Sequence, residues 1–360
     1  MADDRAGVAL FGATGYSGRE AARLLQGHPS FRLAAAFGGR EREGVPLSGI
    51  HPSLRGLVDF VCRGIDTNGA AGTDERIDTA IARLRDDGIS LALLATPEEA
   101  SIRLARPLLR AGFRVVDLSG SFRLRPATLY PEWYGFEHGA ADLLESAAYG
   151  LSEWEHDAVR AAALVANPGC YPTCALLALL PLRRADLLDT EGPVVINAVS
   201  GASGAGRRLR EDLLFCEVEG SIRPYGLPRH RHLPEIAAGT GLLPGAEILF
   251  VPHLAPIDRG LLCTISARLR PGVTWAGVAG AFADAYTSAP FVRLLGEGTL
   301  PSTSDVRGTN ACAIGWTCDA THRRVTLCSA IDNLVKGGAG QALQNLNLMA
   351  GRPEDEGLPR

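Results

Sequence analysis

The stretch Val8-Ala9-Leu10-Phe11-Gly12-Ala13-Thr14-Gly15-Tyr16-Ser17-Gly18 decides the fold. A short apolar strand runs into three glycines at a G-x-x-G-x-x-G spacing, and a helical pattern follows from Tyr16 to about Leu25. Glycines at such a turn let the backbone approach a pyrophosphate, which then rests on the helix N-terminus. The strand–turn–helix context that this reading needs is present. A plain strand–helix turn with no ligand is the other reading, because the spacing differs from G-x-G-x-x-G.

Outward from the loop, strand and helix patterns alternate. Leu33 to Phe37, Leu91 to Thr96 and Val115 to Leu118 read as strands, with a helix from Glu98 to Arg110. Continuous apolar strands alternating with helices predict a doubly wound, Rossmann-like parallel sheet in an α/β domain. Another strand, Ala162 to Ala166, precedes an apolar helix from Cys174 to Leu182. Beyond Asn167 the strands lengthen and helices thin out: Val194 to Val199, Glu247 to His253, Leu261 to Leu269, Ala313 to Cys318 and Val325 to Ala330. That change predicts a second, α+β substrate and dimerisation domain with a large mixed sheet. The last helical pattern, Val335 to Met349, suits the first domain better. We therefore expect a cofactor domain over 1–166 and 333–360 and a catalytic domain over 167–332. The charged tail Arg352 to Arg360, with its Pro and Gly, reads as frayed.

The 360 residues suffice for two cores, and 46% hydrophobic and 21% charged residues are ordinary for a soluble protein. A net charge of -4 and the lack of a like-charge run give no footprint for nucleic acid. No run approaches the roughly 20 apolar residues of a membrane helix. The start, Met1-Ala2-Asp3-Asp4-Arg5, reads as neither signal nor transit peptide. The eight cysteines are scattered and several lie in strand-like runs, where they read as small buried hydrophobes. No pair has zinc-ribbon or redox-dithiol spacing. The expectation is a reduced, cytoplasmic chain with no metal. Lys336 is the only lysine.

The end of the second strand, Phe37-Gly38-Gly39-Arg40, bears on cofactor choice. An acid there would suit ribose hydroxyls, whereas the Arg40 guanidinium suits a 2′-phosphate. NADP(H) is favoured, although Glu41 and Glu43 leave open an ordinary solvated loop. Cys170, in Asn167-Pro168-Gly169-Cys170-Tyr171-Pro172-Thr173, sits between a strand and a helix. The helix dipole would favour its thiolate, and nearby N–H groups could hold an oxyanion. A buried cysteine at a packed helix start is an equal alternative. In Arg229-His230-Arg231-His232-Leu233-Pro234-Glu235 two arginines bias two imidazoles toward neutrality, as a general base requires. The same stretch also reads as an anion-recognising loop. His253 reads as structural, while His51, His138 and His322 have no distinguishing context.

With these motifs in place, the chain resembles the N-acetyl-gamma-glutamyl-phosphate reductase family over nearly its whole length. The likeness runs through Gly12 to Gly18, Asp117-Leu118-Ser119-Gly120-Ser121-Phe122-Arg123, Tyr149-Gly150-Leu151 and Asn167 to Thr173. It continues through Ser200 to Arg207, His230-Arg231-His232-x-Pro234-Glu235, Pro252-His253-Leu254, Arg259-Gly260 and Asp332 to Gly337. The resemblance implies Cys170 as nucleophile and His232 as acid–base, with the choice between His230 and His232 open. It implies an acyl-phosphate substrate held by Arg123, Arg207, His230 and Glu235, with a protein salt bridge as the other role for Arg207. The cofactor site would include Gly12, Thr14, Gly15, Tyr16, Ser17, Gly18, Arg40, Ser203, Gly204 and Asn333, with Lys336 nearby but not catalytic. The assembly would be a homodimer or homotetramer.

Three other functions share parts of the pattern. Aspartate-semialdehyde dehydrogenases use the same plan, but usually have Asn before the cysteine and lack His-Arg-His-x-Pro-Glu. Reductases of carrier-protein-linked aminoadipyl or glutamyl phosphate share most motifs and would need a basic surface. A non-catalytic NADP-binding sensor would keep the glycine loop but has no use for Cys170, His232 and Arg123 together.

Overall fold

The computed structural model describes residues 3–69, 72–189, 191–243, 247–319, 321 and 323–360. His322 lies outside the described residues, as do Met1 and Ala2. Two compact units emerge, one running to Pro168 and resuming over Gly338–Leu358, the other spanning Gly169–Gly337 with Pro359–Arg360. These crossings fall two and five residues later than the sequence suggests. The Asn167 N–H still donates to Asp117 O at 2.8 Å in the first unit, and the second unit keeps Asp332 to Gly337, whose N–H donates back to Asp332 O.

The first unit is built on seven strands: β1 (Ala6–Phe11), β2 (Phe31–Gly38), β3 (Arg63–Gly64), β4 (Leu91–Leu94), β5 (Arg114–Asp117), β6 (Ala148–Tyr149) and β7 (Leu164–Ala166). Their order in the sheet is β3-β2-β1-β4-β5-β7-β6, and every pairing is parallel. Parallel neighbours need crossovers, and the helices Tyr16–Gln26, Thr73–Asp86 and Glu98–Arg110 supply them. Both faces are covered, so the middle strands are apolar throughout; all four residues of β4 are buried. This is the doubly wound sheet expected. β4 stops at Leu94 instead of Thr96, because Pro97 caps the next helix.

The second unit holds β8 (Leu188–Asp189), β9 (Val194–Gly201), β10 (Arg223–Pro224), β11 (Ile248–Ala255), β12 (Leu261–Leu269), β13 (Val292–Glu297), β14 (Cys312–Cys318) and β15 (Arg324–Ile331). The order is β10-β11-β9-β12-β15-β14-β13, with β8 beside β12. β9–β11 and β13–β14 are parallel, and the other pairs antiparallel, which makes the sheet mixed as predicted. One face is buried under the helix Cys170–Arg184, whose residues 171–182 are all buried. That helix begins four residues earlier than expected, since Pro172 in its first turn forfeits no helical hydrogen bond. The helix Trp275–Tyr286, opened by the Thr274 side chain accepting from Gly277 N, and strand β13 have no counterpart in the sequence reading.

The tail is not frayed. Asn347 Nδ2 donates to the carbonyls of Glu354 (3.2 Å) and Glu356 (2.9 Å), Gln344 Nε2 reaches Glu354 Oε2 at 2.8 Å, and Leu358 is buried. Two side-chain amides of the helix Gly340–Met349 thus hold a segment that composition alone marks as loose.

Candidate active site

The glycine loop is set by backbone geometry. The N–H groups of Gly12 and Ala13 both donate to Phe37 O at 2.9 Å, which binds the turn to the end of β2. Gly12 has φ +84°, and a Cβ there would lie 2.2 Å from Ala95 O. A Cβ on Gly18 would lie 2.2 Å from Gly12 O, so the helix packs on the turn only because residue 18 has no side chain. Gly15 caps the helix Tyr16–Gln26 with no side-chain bond to its first turn and no acid in that turn. The N–H groups there keep their capacity for an anion, so the loop fits a dinucleotide pyrophosphate. Thr14 packs against Gly38, and the Arg19 guanidinium lies 5.1 Å above the Tyr16 ring. His51, unremarkable in sequence, is buried with Nε2 3.1 Å from Ala13 O and braces the turn from behind.

At the end of β2 the two acids have other engagements. Glu43 accepts from the Gly64 N–H, and Glu41 lies 3.9 Å from Arg42. Arg40 is exposed, and among the described residues no acid pairs with it.

Arg123 belongs to the same unit. Its Nε donates to Asn167 O at 2.8 Å and its Nη2 to Leu118 O at 2.7 Å, tying the loop after β5 to the segment that leads into Cys170. Asp117 organises that loop. It is fully buried, accepts from Ser119 N (3.2 Å) and Ser119 Oγ (2.7 Å), and its pKa is pushed up to about 6 by burial. The ring of His138, also unmarked in sequence, reaches Ser121 O at 2.7 Å and supports the loop.

In the second unit, Gly169 caps the helix that Cys170 opens. The Gly169 N–H donates to Glu235 Oε1 at 2.9 Å, and Thr173 Oγ1 donates back to Gly169 O at 3.0 Å. Glu235 is buried, so its carboxylate holds the peptide just before the cysteine. The cysteine itself is half-buried.

Tyr171 gathers the histidines. Its ring lies 5.6 Å from that of His230 and 5.9 Å from that of His232, and the two imidazoles are 5.0 Å apart. Tyr225, which sequence reading did not single out, donates to the Tyr171 hydroxyl at 3.0 Å. Burial pushes the Tyr225 hydroxyl up to about 12, with the neighbouring Cys170 adding to the rise. Burial, and then the neighbouring Tyr225 hydroxyl, raises Tyr171 as well, so neither phenol ionises near neutrality. Burial, and then the charge of Arg231, lowers His230 to about 4. Its Nδ1 accepts from the His232 N–H at 3.2 Å, as a neutral ring can. At His230 the bias toward neutrality comes first from burial and only second from the flanking Arg231. His232 is buried, and it caps the helix Leu233–Thr240 that carries Glu235.

Asn333 is buried with both ends of its amide in use: Oδ1 accepts from Gly260 N at 2.7 Å and Nδ2 donates to Ser203 Oγ at 3.0 Å. It ties Gly260 to Ser203 in the turn Ala202–Ala205, with Gly204 and Arg207 exposed on that segment. Lys336 is fully buried, its Nζ 5.6 Å from the centroid of the Phe291 ring. Within each unit, then, the structure assembles the glycine loop with Arg40, and Cys170 with Tyr171, His230, His232 and Glu235.

Known proteins share the fold and much of the sequence of this chain. The semialdehyde dehydrogenase NAD binding domain matches residues 7–162, and the semialdehyde dehydrogenase dimerisation domain matches residues 170–333. The first unit is accordingly a nicotinamide-dinucleotide domain. Aspartate semialdehyde dehydrogenase II from Vibrio cholerae shares the fold at a TM-score of 0.69 and 17% identity, over 96% of this chain and 99% of that one. The Candida albicans aspartate semialdehyde dehydrogenase solved with NADP follows at 0.65 and 14%, over 96% and 98%. The N-acetyl-gamma-glutamyl-phosphate reductase of Geobacter sp. (strain M21) is 41% identical over 354 residues, 98% of this chain and 97% of its own. That of Akkermansia muciniphila is 41% identical over 353 residues, 98% of both chains. With near-complete coverage by such relatives, and with the cysteine and both histidines gathered in one unit, the chain belongs to the N-acetyl-gamma-glutamyl-phosphate reductase family.

Proposed function

We propose that the protein reduces N-acetyl-L-glutamyl 5-phosphate to N-acetyl-L-glutamate 5-semialdehyde and phosphate, with NADPH as reductant and Cys170 as nucleophile. The observation that carries this reading is the cysteine at the head of an apolar helix whose next residue, Tyr171, packs edge-on against two imidazoles, one of them kept neutral by burial well below neutral pH. The Cys170 thiolate attacks the acyl carbon. A C–S bond forms, the C–O bond to phosphorus breaks, and phosphate leaves with its electron pair. The glycine loop and the Ser203–Gly204 turn would hold the nicotinamide dinucleotide, whose reduced form would supply the hydride that turns the thioester into a thiohemiacetal. The resulting thiohemiacetal collapses as the C–S bond breaks, returning the electron pair to sulfur and releasing the aldehyde. His232 takes the thiol proton before attack and steadies the oxyanion during collapse, while His230, packed between it and Tyr225, holds its ring in place. Arg123 holds the leaving phosphate and Arg207 the substrate carboxylate.

NADPH is favoured over NADH by Arg40, whose charge no described acid offsets, at the strand end where the 2′-phosphate of such folds sits. Ser203 and Gly204, held by Asn333, form part of the nicotinamide site. The working form is a homodimer or homotetramer in the reducing cytoplasm. None of the eight cysteines forms a disulfide, and no described helix is long and apolar enough to cross a membrane. The open face of the second sheet supports self-association. Leu249 is 49% exposed there, in register with Val195, with Val251 and Val199 partly exposed on the same face.

The test runs the reaction in reverse. Purified enzyme, free N-acetylglutamate semialdehyde, NADP+ and phosphate should produce NADPH, in strict dependence on phosphate. Turnover only with a carrier-bound semialdehyde would point to the carrier-linked reductases instead.

A further inference from the structure

The segment that follows β15 packs directly on the nucleophile. Asp332 is fully buried, and its carboxylate gathers four donors: Leu334 N (2.9 Å), Val335 N (3.2 Å), Gly308 N (2.8 Å) and Arg259 Nη1 (3.3 Å). Held this way, the chain does not enter an ordinary α-helix. It makes a π-helical turn over Val335–Ala339, and the Gly337 N–H donates to the Asp332 carbonyl five residues back at 2.9 Å. Single π-turns of this kind widen a helix locally and recur at functional sites.

The widened turn brings Gly337 against Cys170. A Cβ built on Gly337 would lie 2.7 Å from Cys170 Cβ and 3.2 Å from Cys170 Cα, with Ile331 Cδ1 at 3.1 Å. The first two are not the ends of a flexible side chain. They are the root of the nucleophile, already tied at the preceding peptide, where Glu235 binds the Gly169 N–H. A methyl group at 337 can be accommodated only if the first turn of the Cys170 helix or the π-turn moves.

We propose that Gly337 is a positioning residue for Cys170, and that the π-turn anchored by Asp332 sets the place of the nucleophile's Cα–Cβ bond. This inference rests on Cys170 being the nucleophile. Attack on an acyl carbon needs the sulfur near 3–3.5 Å and aligned, so a displacement of several tenths of an ångström falls on the chemical step and not on cofactor binding.

The test uses the full-length enzyme carrying Gly337→Ala. We expect kcat to fall about tenfold to a hundredfold, with KM for NADP+ and its dissociation constant unchanged. The rate of iodoacetamide alkylation of Cys170, followed on its own peptide by mass spectrometry, should also change. Asp332→Asn keeps Gly337 but loosens the turn, and should lower kcat in the same direction; if Gly337→Ala does not fold, Asp332→Asn decides. Wild-type kcat and alkylation rate in a folded Gly337→Ala would overturn the proposal, as would an Asp332→Asn enzyme of normal kcat. Cys170→Ser separates this from the parent reading. Retained turnover there removes the nucleophile itself, whereas an inactive Cys170→Ser beside a normal Gly337→Ala removes only the positioning role.

Discussion

The glycine loop and the surroundings of Cys170 do their work by opposite means. The loop is backbone: two N–H groups on Phe37 O, a left-handed Gly12, and a Gly18 that tolerates no Cβ. Its three glycines fall within seven residues and are visible in the sequence, although two of the carbonyls they meet belong to Phe37 and Ala95. The Cys170 site is assembled from side chains that lie far apart in sequence. Glu235 secures the preceding peptide from 66 residues away, Tyr225 reaches Tyr171 from 54, and Gly337 backs onto the cysteine from the far end of the unit. A cofactor loop can thus be recognised from spacing, whereas a nucleophile's setting has to be seen in three dimensions.

Substitutions at the two regions should separate cleanly. The largest effect is expected from Cys170→Ser, which should lower phosphate-dependent turnover by roughly 10³- to 10⁶-fold while NADP+ binding, read by fluorescence titration, stays normal. Gly18→Ala should do the reverse. The clash with Gly12 O should cost about 1–3 kcal/mol of stability and weaken NADP+ binding, but leave alkylation of Cys170 unchanged. If Gly18→Ala altered the cysteine's reactivity as well, the contrast between the regions would fail.

A smaller effect is expected at the end of β2. Arg40→Ser should weaken NADPH binding by about 10- to 100-fold, as loss of a charge-assisted contact does, and leave NADH binding unaltered. Equal losses for both cofactors would remove the 2′-phosphate assignment.

The smallest effect concerns pH. His230 titrates near 4 in the folded chain against 6.5 for an ordinary histidine. Its folded pKa is depressed, so the unfolded chain binds the proton first as pH falls. The stability due to the neutral ring is complete above 6.5 and is lost as pH drops from 6.5 through 4, a change on the order of 1–3 kcal/mol. Thermal melts of His230→Gln should show a shallower fall across that window. An unchanged slope would mean that other groups set the acid limb.

The fold was largely legible because its signals are periodic. The apolar run Leu261 to Leu269 marks its strand to the residue, and the run Leu91 to Thr96 marks one that ends two residues sooner. The misses have local causes. The helix Trp275–Tyr286 buries only Val278, Phe282 and Tyr286, a spacing that is thin among alanines and glycines. The tail looked loose because its charges suggest solvent, yet its carbonyls are satisfied by Asn347. Within the site, the cysteine and histidines stood out by type and order. Glu235 was marked with them, but as a substrate ligand, while its observed bond is to the backbone at Gly169. His51 and His138 carried no signal, since a histidine that braces a carbonyl looks like any other in sequence.

The most direct test of the central claim is to trap the acyl-enzyme. Wild-type protein mixed with N-acetylglutamyl phosphate in the absence of cofactor should release a burst of about one phosphate per chain. Peptide mass spectrometry should find the acyl group on Cys170, and Cys170→Ser should show neither. No burst, or acylation at a residue other than Cys170, would contradict the account.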